Sequence, residues 1–332
     1  MQPTKHRLAI ARRALLVVAA SLAATMAMPA AAEADYPNRP IRLVIPFAPG
    51  GETDIFARAI SGRLGEVLGQ SVVVENRPGA TGIVASELVA RSAPDGYTLI
   101  FGTAATHALN MSVFKSLPYH PLKDFEPVAF VGSVPLVLFT HPSMPEKLGD
   151  FTAMLKANPG KFSYGAAGAS TSHLGIELYK NVAAVNAVHV PYKGTGPALQ
   201  DLAAGQVQFA GASIGAGAPL LKAGKLRAIA VMGVNRLAAA PDVPTFAEAG
   251  LPNLEVGTWN VVMAPAGTPK PIVEKLNRAV NTVLGEAGIQ KRLTELGITP
   301  IAESSPESTA RRITSEIDKW AKAFELSGAQ KQ

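Results

Sequence analysis

The chain has 332 residues, no cysteine, 48% hydrophobic residues and a formal net charge of +6. Without cysteine there is no disulfide framework, so the fold must rest on a hydrophobic core, and the length suffices for about two domains. The charge is modest and no long Lys/Arg run carries it, which gives nucleic acid little to hold, although a mildly positive field suits an anionic ligand.

The first 34 residues read as an address. Lys5, Arg7, Arg12 and Arg13 precede an apolar run over 14–28, and Pro29 with the small residues of 30–34 offers A-x-A cleavage sites. This is the layout of a secretory signal, cut after Ala34, and the run is too short to span a bilayer. Sec export is favoured, although Arg12-Arg13 also fits the twin-arginine route. Removing Lys5, Arg7, Arg12, Arg13 and Glu33 takes 31 basic and 25 acidic residues to 27 and 24, so half of the net charge belonged to the signal. No second long apolar run follows, and the remainder is expected to be a soluble periplasmic protein.

In chain order, residues 41–47 (Ile-Arg-Leu-Val-Ile-Pro-Phe) predict a buried strand, 48–51 a Pro-Gly-Gly loop, and about 53–68 a helix that Gly69 stops. The helix shows apolar residues at Ile55, Phe56, Ile60, Leu64, Val67 and Leu68. Strands follow at 71–75 and 97–101. The pattern restarts after Pro135, with strands at 136–140, 162–165, 187–190, 206–210 and 226–231, and helices at 146–157, 172–183, 196–204 and 216–223. A strand at 260–264 leads to two helices whose apolar faces are Ile272, Leu276, Val280, Val283 and then Ile313, Ile317, Trp320, Phe324. This succession predicts an α/β protein of two lobes, each a mostly parallel sheet flanked by helices.

Two loops stand out chemically. Pro46-Phe47-Ala48-Pro49-Gly50-Gly51-Glu52-Thr53-Asp54 carries a strand end into a helix start, where free backbone N–H groups favour an anion and glycines allow close approach. An ordinary βα turn with Asp54 as a first-turn acid explains the same residues. In 165–173, small residues and the hydroxyls of Ser170, Thr171 and Ser172 precede a helix that carries His173. Neutral donors of that kind hold a carboxylate without a buried cation, though one hydroxyl must be merely the N-cap and a first-turn histidine is commonly a packing or surface residue. Thr103, at the end of the third strand, is a weaker candidate.

Other chemistries lack their signatures. Gly211-Ala212-Ser213-Ile214-Gly215 has nucleophile-elbow form, but the last histidine, His189, precedes it, so the hydrolase order fails. A secreted serine hydrolase using Ser213 or Ser170 stands as the alternative. The six histidines show no metal-ligand spacing, no GK[ST] follows a glycine-rich stretch, and no GxGxxG follows a strand. No metal and no cofactor are expected, and no catalytic residue is assigned.

The segments Tyr36-Pro37…Arg39-Pro40-Ile41, Pro46 to Gly51 with Asp54 and Ala57-Arg58, Val74-Glu75-Asn76-Arg77-Pro78-Gly79-Ala80, Ala93-Pro94-Asp95-Gly96-Tyr97 and His189-Val190-Pro191-Tyr192-Lys193-Gly194 stand in an order found in one family. So do Pro241-Asp242-Val243-Pro244-Thr245 and Val262-Met263-Ala264-Pro265-Ala266-Gly267-Thr268-Pro269. Together they resemble the periplasmic receptors (Bug proteins) of tripartite tricarboxylate transporters, over nearly the whole chain after the signal. The resemblance implies a two-lobed, Venus-flytrap periplasmic binding protein fold without catalysis. One lobe would be residues 36–134 plus 256–332 and the other 135–255.

It further implies that the chain captures a small carboxylate and hands it, as a monomer in transient contact, to membrane transporter subunits. With the same fold, a ligand-dependent signalling partner is a further possibility. The implied ligand grip is Phe47, Ala48, Pro49, Gly50, Gly51, Asp54 and Thr103 from one lobe, and Ser170, Thr171, Ser172 and His173 from the other. Trp259 would wall the cleft or pack in the core, and Asp201 would take a ligand amine or serve structure. Glu52 departs from the family's small or neutral residue, and an acid beside an anion costs affinity unless it meets an amine or hydroxyl.

Overall fold

The computed structural model describes residues 36–331 apart from 50, 51, 169, 193 and 253, so the expected signal (1–34), Gly50 and Gly51 lie outside the described residues. The fold below is that of the unit that begins at Arg39.

The chain opens with β1 (Ile41–Ile45), which pairs in parallel with β2 (Val72–Asn76) and β3 (Thr98–Thr103). Four of the five β1 residues are buried, as befits a strand covered on both faces. Between β1 and β2 runs α1 (Glu52–Leu68), and α2 (Ile83–Ala90) precedes β3. After β3 come a π-helical turn, Ala105–Leu109, and the short α3 (Asn110–Val113). Then β4 (Phe125–Thr140) runs for 16 residues.

That long strand belongs to two sheets. Its first part pairs antiparallel with β9 (Gly257–Pro265), from Phe125 opposite Pro265 to Pro135 opposite Gly257, and β9 in turn pairs antiparallel with β3. From Leu136 onward it pairs antiparallel with β7 (Phe209–Ala212) and β8 (Arg227–Met232). Beyond β7 lie β5 (Ser163–Ala167) and β6 (Val188–Tyr192), both parallel. The strand order is β2-β1-β3-β9-β4-β7-β5-β6. The ladder changes partner at one point, where Leu136 N–H donates to the Val256 carbonyl at 2.9 Å and Val256 N–H donates to the Met232 carbonyl at 3.1 Å. A β-carbon on Gly257 would lie 2.5 Å from the Val134 carbonyl oxygen and 2.9 Å from Pro135 Cα, so only glycine lets the strands approach this closely.

Helices cover the second sheet as α4 (Leu148–Ala157), α5 (Thr171–Ala183), α6 (Thr195–Ala203) and α7 (Ile214–Lys222). The chain then adds α8 (Lys270–Gly285), α9 (Ala287–Glu295), the two-residue β10 (Thr299–Pro300) paired to β4, and α10 (Pro306–Ser327). The caps of α10 are written in its sequence: Ser305 and Ser308 form a capping box, Pro306 occupies the first turn, and Gly328 closes the helix at φ 66°. Its Ile313, Trp320 and Phe324 enter a core cluster that also contains Val44, Trp259 and Phe209, and so runs through both sheets. Among the described residues no helix is long and apolar enough to cross a membrane.

The expected strand at 136–140 is the C-terminal end of β4. The strand continues through Pro135, after which the sequence pattern restarts, and its ladder takes up irregularities by register shifts between Pro127 and Ala129 and between Phe130 and Gly132. The sheets are parallel toward their edges and antiparallel where β4 and β9 meet, an orientation that local periodicity does not encode.

Candidate functional site

The β1–α1 connection is braced from beneath. Pro46 is buried, Phe47 half-buried, and Ala48 and Pro49 exposed. Asp54, buried in the first turn of α1, accepts from Arg58 Nε at 2.9 and 3.1 Å and from Asn76 Nδ2 at 2.9 Å. The same Asn76 amide donates to the Phe47 carbonyl at 3.0 Å, and its Oδ1 accepts from Arg58 Nη2 at 3.0 Å. The Asp54 carboxylate thus ties the strand end to the helix start. Its fit to the structure is that of a brace for the loop.

Thr103 ends β3 and is buried. Its N–H donates to Thr106 Oγ1 at 2.9 Å, folding the chain into the π-helical turn. There His107 is fully buried, edge-on to Phe125 at 4.9 Å between ring centroids, and its Nδ1 lies 2.8 Å from Thr106 Oγ1. Burial lowers its pKa to about 3, and its Nε2 has no hydrogen-bond partner among the described residues.

In the second sheet the turn 170–173 opens α5. Ser170 is the N-cap: its Oγ accepts from His173 N–H at 3.2 Å and donates to the Ala167 carbonyl at 2.7 Å. Thr171 is half-buried and Ser172 buried, with the Ser170 and Ser172 hydroxyls 3.4 Å apart. His173 Nδ1 lies 3.1 Å from His189 Nε2. Burial, with a smaller contribution from His189, lowers the His173 pKa to about 4, so the ring is neutral at neutral pH. Behind the two imidazoles, Tyr164 donates its hydroxyl to Glu177, which also accepts from Lys180 Nζ at 2.7 Å. Burial, and then Glu177, push the Tyr164 pKa far above its ordinary range.

Asp201 on α6 accepts from the Tyr192 hydroxyl at 2.7 Å, and burial together with that carboxylate raises the Tyr192 pKa to about 12. Trp259 is 2% exposed. It packs against Phe130 and gives its indole N–H to Glu316 at 2.7 Å. Each of these two side chains therefore has a structural partner within the chain.

One pair joins the two sheets' helix starts. Glu52, the first residue of α1, has its carboxyl facing the hydroxyl of Ser213, the N-cap of α7. Burial raises the Glu52 pKa to about 7, the serine hydrogen bond acting in the opposite direction. Nearby, a β-carbon on Gly215 would lie 3.0 Å from the Leu296 carbonyl oxygen, and Gly297, at φ 76°, leaves no room for one beside Ile214. The start of α7 is therefore packed onto the end of α9. Among the described residues neither Ser213 nor Ser170 has a histidine ring as hydrogen-bond partner, so the serine–histidine pair of a hydrolase is not formed at either position.

The structure thus brings Ser170–His173 together with His189, and Asp54 with the Phe47 carbonyl, and it leaves Thr103, Asp201 and Trp259 in separate local networks. Neither the His173–His189 contact nor the meeting of Glu52 and Ser213 follows from local pattern. The only signal for them was that all four lie on or beside strand ends and helix starts, where open α/β sheets gather their ligands.

Residues 56–328 match the model of the tripartite tricarboxylate transporter family receptor. Protein BugT of Bordetella pertussis is 40% identical over 323 residues, covering 95% of this chain and 98% of BugT. Among solved structures, Rpa4515 of R. palustris with adipate superposes with a TM-score of 0.82 at 39% identity, over 90% of this chain and all of that one. MatC (Rpa3494) from Rhodopseudomonas palustris with bound malate gives 0.76 at 38% identity, over 87% of this chain and all of that one. By family model, sequence and two-lobed periplasmic binding protein fold together, the chain belongs to the tripartite tricarboxylate transporter receptor family, with the Bug proteins among its relatives.

Proposed function

We propose that the protein is a periplasmic, non-catalytic receptor that encloses a small carboxylate between its two lobes and delivers it, as a monomer, to membrane subunits of a tripartite transporter. Relatives that hold adipate and malate support the ligand class. The observation that carries the reading is the fold, in which β4 runs from one sheet into the other and which relatives holding adipate and malate share. The lobes would be 36–134 plus 256–332 and 135–255, because β4 exchanges β9 for β7 and β8 just after Pro135 and the chain returns at Val256. Residues 1–34 would direct export. Backbone donors around Phe47–Gly51, with Thr103 beside them, would face Ser170, Thr171, Ser172 and His173 across the cleft. Closure follows when the ligand binds the closed form more tightly than the open one.

Titration calorimetry and thermal melting with a panel of dicarboxylic, amino and aromatic acids test this. At a ligand concentration of 100 times Kd, binding adds about 2.7 kcal/mol, a rise in Tm of several degrees. Loss of that rise in Ser172→Ala would support the proposed grip. No heat and no shift with any acid would overturn the proposal.

A further inference from the structure

The carboxyl of Glu52 is enclosed although the residue as a whole is only half-buried. Its Oε1 is shut off from solvent and has no hydrogen-bond partner among the described residues. The Ser213 hydroxyl lies beside the carboxyl and favours its charge, and that serine is itself only 6% exposed. The two cationic groups on the same helix are engaged elsewhere, Arg58 with Asp54 and Asn76 and Arg63 with Glu66 and Glu286. No cation appears among the influences on Glu52: burial opposes its charge and a single hydroxyl favours it. The first turn of a helix also favours an anion, but by only about 0.3–1 kcal/mol.

An enclosed carboxyl with an open acceptor and no cation is unfavourable to keep, because an unsatisfied buried polar atom costs about 1–3 kcal/mol and more when charged. A ligand that brings a donor removes that penalty; a ligand that brings only a second carboxylate adds repulsion to it. Resting on the carboxylate-receptor reading above, we propose that Glu52, with its enclosed and unpartnered Oε1, makes this cleft selective for amino-carboxylates, that oxygen taking the ligand's ammonium group while neutral donors take the ligand's carboxylate.

The test uses matched acids that differ only in the amino group: aspartate and succinate, glutamate and glutarate, phenylalanine and 3-phenylpropionate, titrated calorimetrically into the wild-type protein, Glu52→Gln and Glu52→Ala. The wild type is expected to bind the amino member of at least one pair ten-fold or more tightly than its partner, the scale seen when one side of a buried charge pair is lost. Both variants should lose most of that preference while retaining or improving affinity for the plain acid, and their melting curves should show them folded. Equal binding of both members, a preference for the plain acid, or a preference that survives both substitutions overturns this proposal and leaves the receptor reading intact. Silence from all six acids overturns both.

Discussion

Substituting Glu316 tests how the C-terminal helix is fastened. Its Oε2 accepts from Trp259 Nε1 at 2.7 Å and Trp320 Nε1 at 3.1 Å, and its Oε1 accepts from Lys319 Nζ at 2.6 Å. Both indoles are 2% exposed or less and Glu316 is 6% exposed. In Glu316→Ala two buried N–H donors lose their acceptor, each at about 1–3 kcal/mol, and a total near 3–5 kcal/mol matches the removal of one partner from a buried charged pair. Glu316→Gln keeps an oxygen for the indoles but turns an amide donor toward half-exposed Lys319, and about 1–2 kcal/mol is expected. These are the chain's two tryptophans, so fluorescence during urea unfolding reports on this cluster, with far-UV circular dichroism as the second probe for coincident transitions. A red-shifted native emission in the Ala variant should accompany the loss. An Ala variant within 0.5 kcal/mol of wild type, or a Gln variant as damaged as Ala, would refute the claim that this carboxylate acts as acceptor for both indoles.

Two further outcomes follow from the polar networks. Asn76→Ala removes the bonds to Phe47 and Asp54; a loss of about 1–2 kcal/mol in melting stability and several-fold weaker acid binding are expected, and unchanged binding would take the β1–α1 loop out of the site. His107 takes up a proton near 6.5 when unfolded but only near 3 when folded, so its contribution to stability is complete above pH 6.5 and is lost as pH falls toward 3. Unfolding free energies measured between pH 6.5 and 4 should therefore fall, and His107→Leu should flatten the slope by up to about 1.4 kcal/mol per pH unit; an unchanged slope would mean that the folded protein admits water or a proton to that ring.

The helices and parallel strands were legible because each carries its period and its stop signals locally. The helix expected from 53 to 68 is α1, displaced by one residue at its start. Its exposed Ile55, counted into the apolar face, shows the limit of periodicity at a helix end. Residues 83–90 and 287–295 were not read as helices, the first because a glycine in the left-handed region and a 3-10 turn precede it, the second because one residue alone, Leu293, is buried. At the candidate site, the donor-rich loops were legible from composition. What Asp54, Asp201 and Trp259 bond to was not, since Asn76, Tyr192 and Glu316 reach them from other elements. Glu52 was conspicuous in the sequence as a misplaced acid, and its serine neighbour became visible only when α7 was folded against the first sheet's helices.

The position of β9 bears on how the chain can be assembled. It is the strand that separates β3 from the first part of β4, yet it is encoded roughly 120 residues after β4 ends. Until residues 257–265 have left the ribosome, a nascent chain therefore presents two unsatisfied hydrogen-bonding edges flanking a gap of one strand. Such edges invite pairing with other chains, so this topology ties safe folding to completion of synthesis.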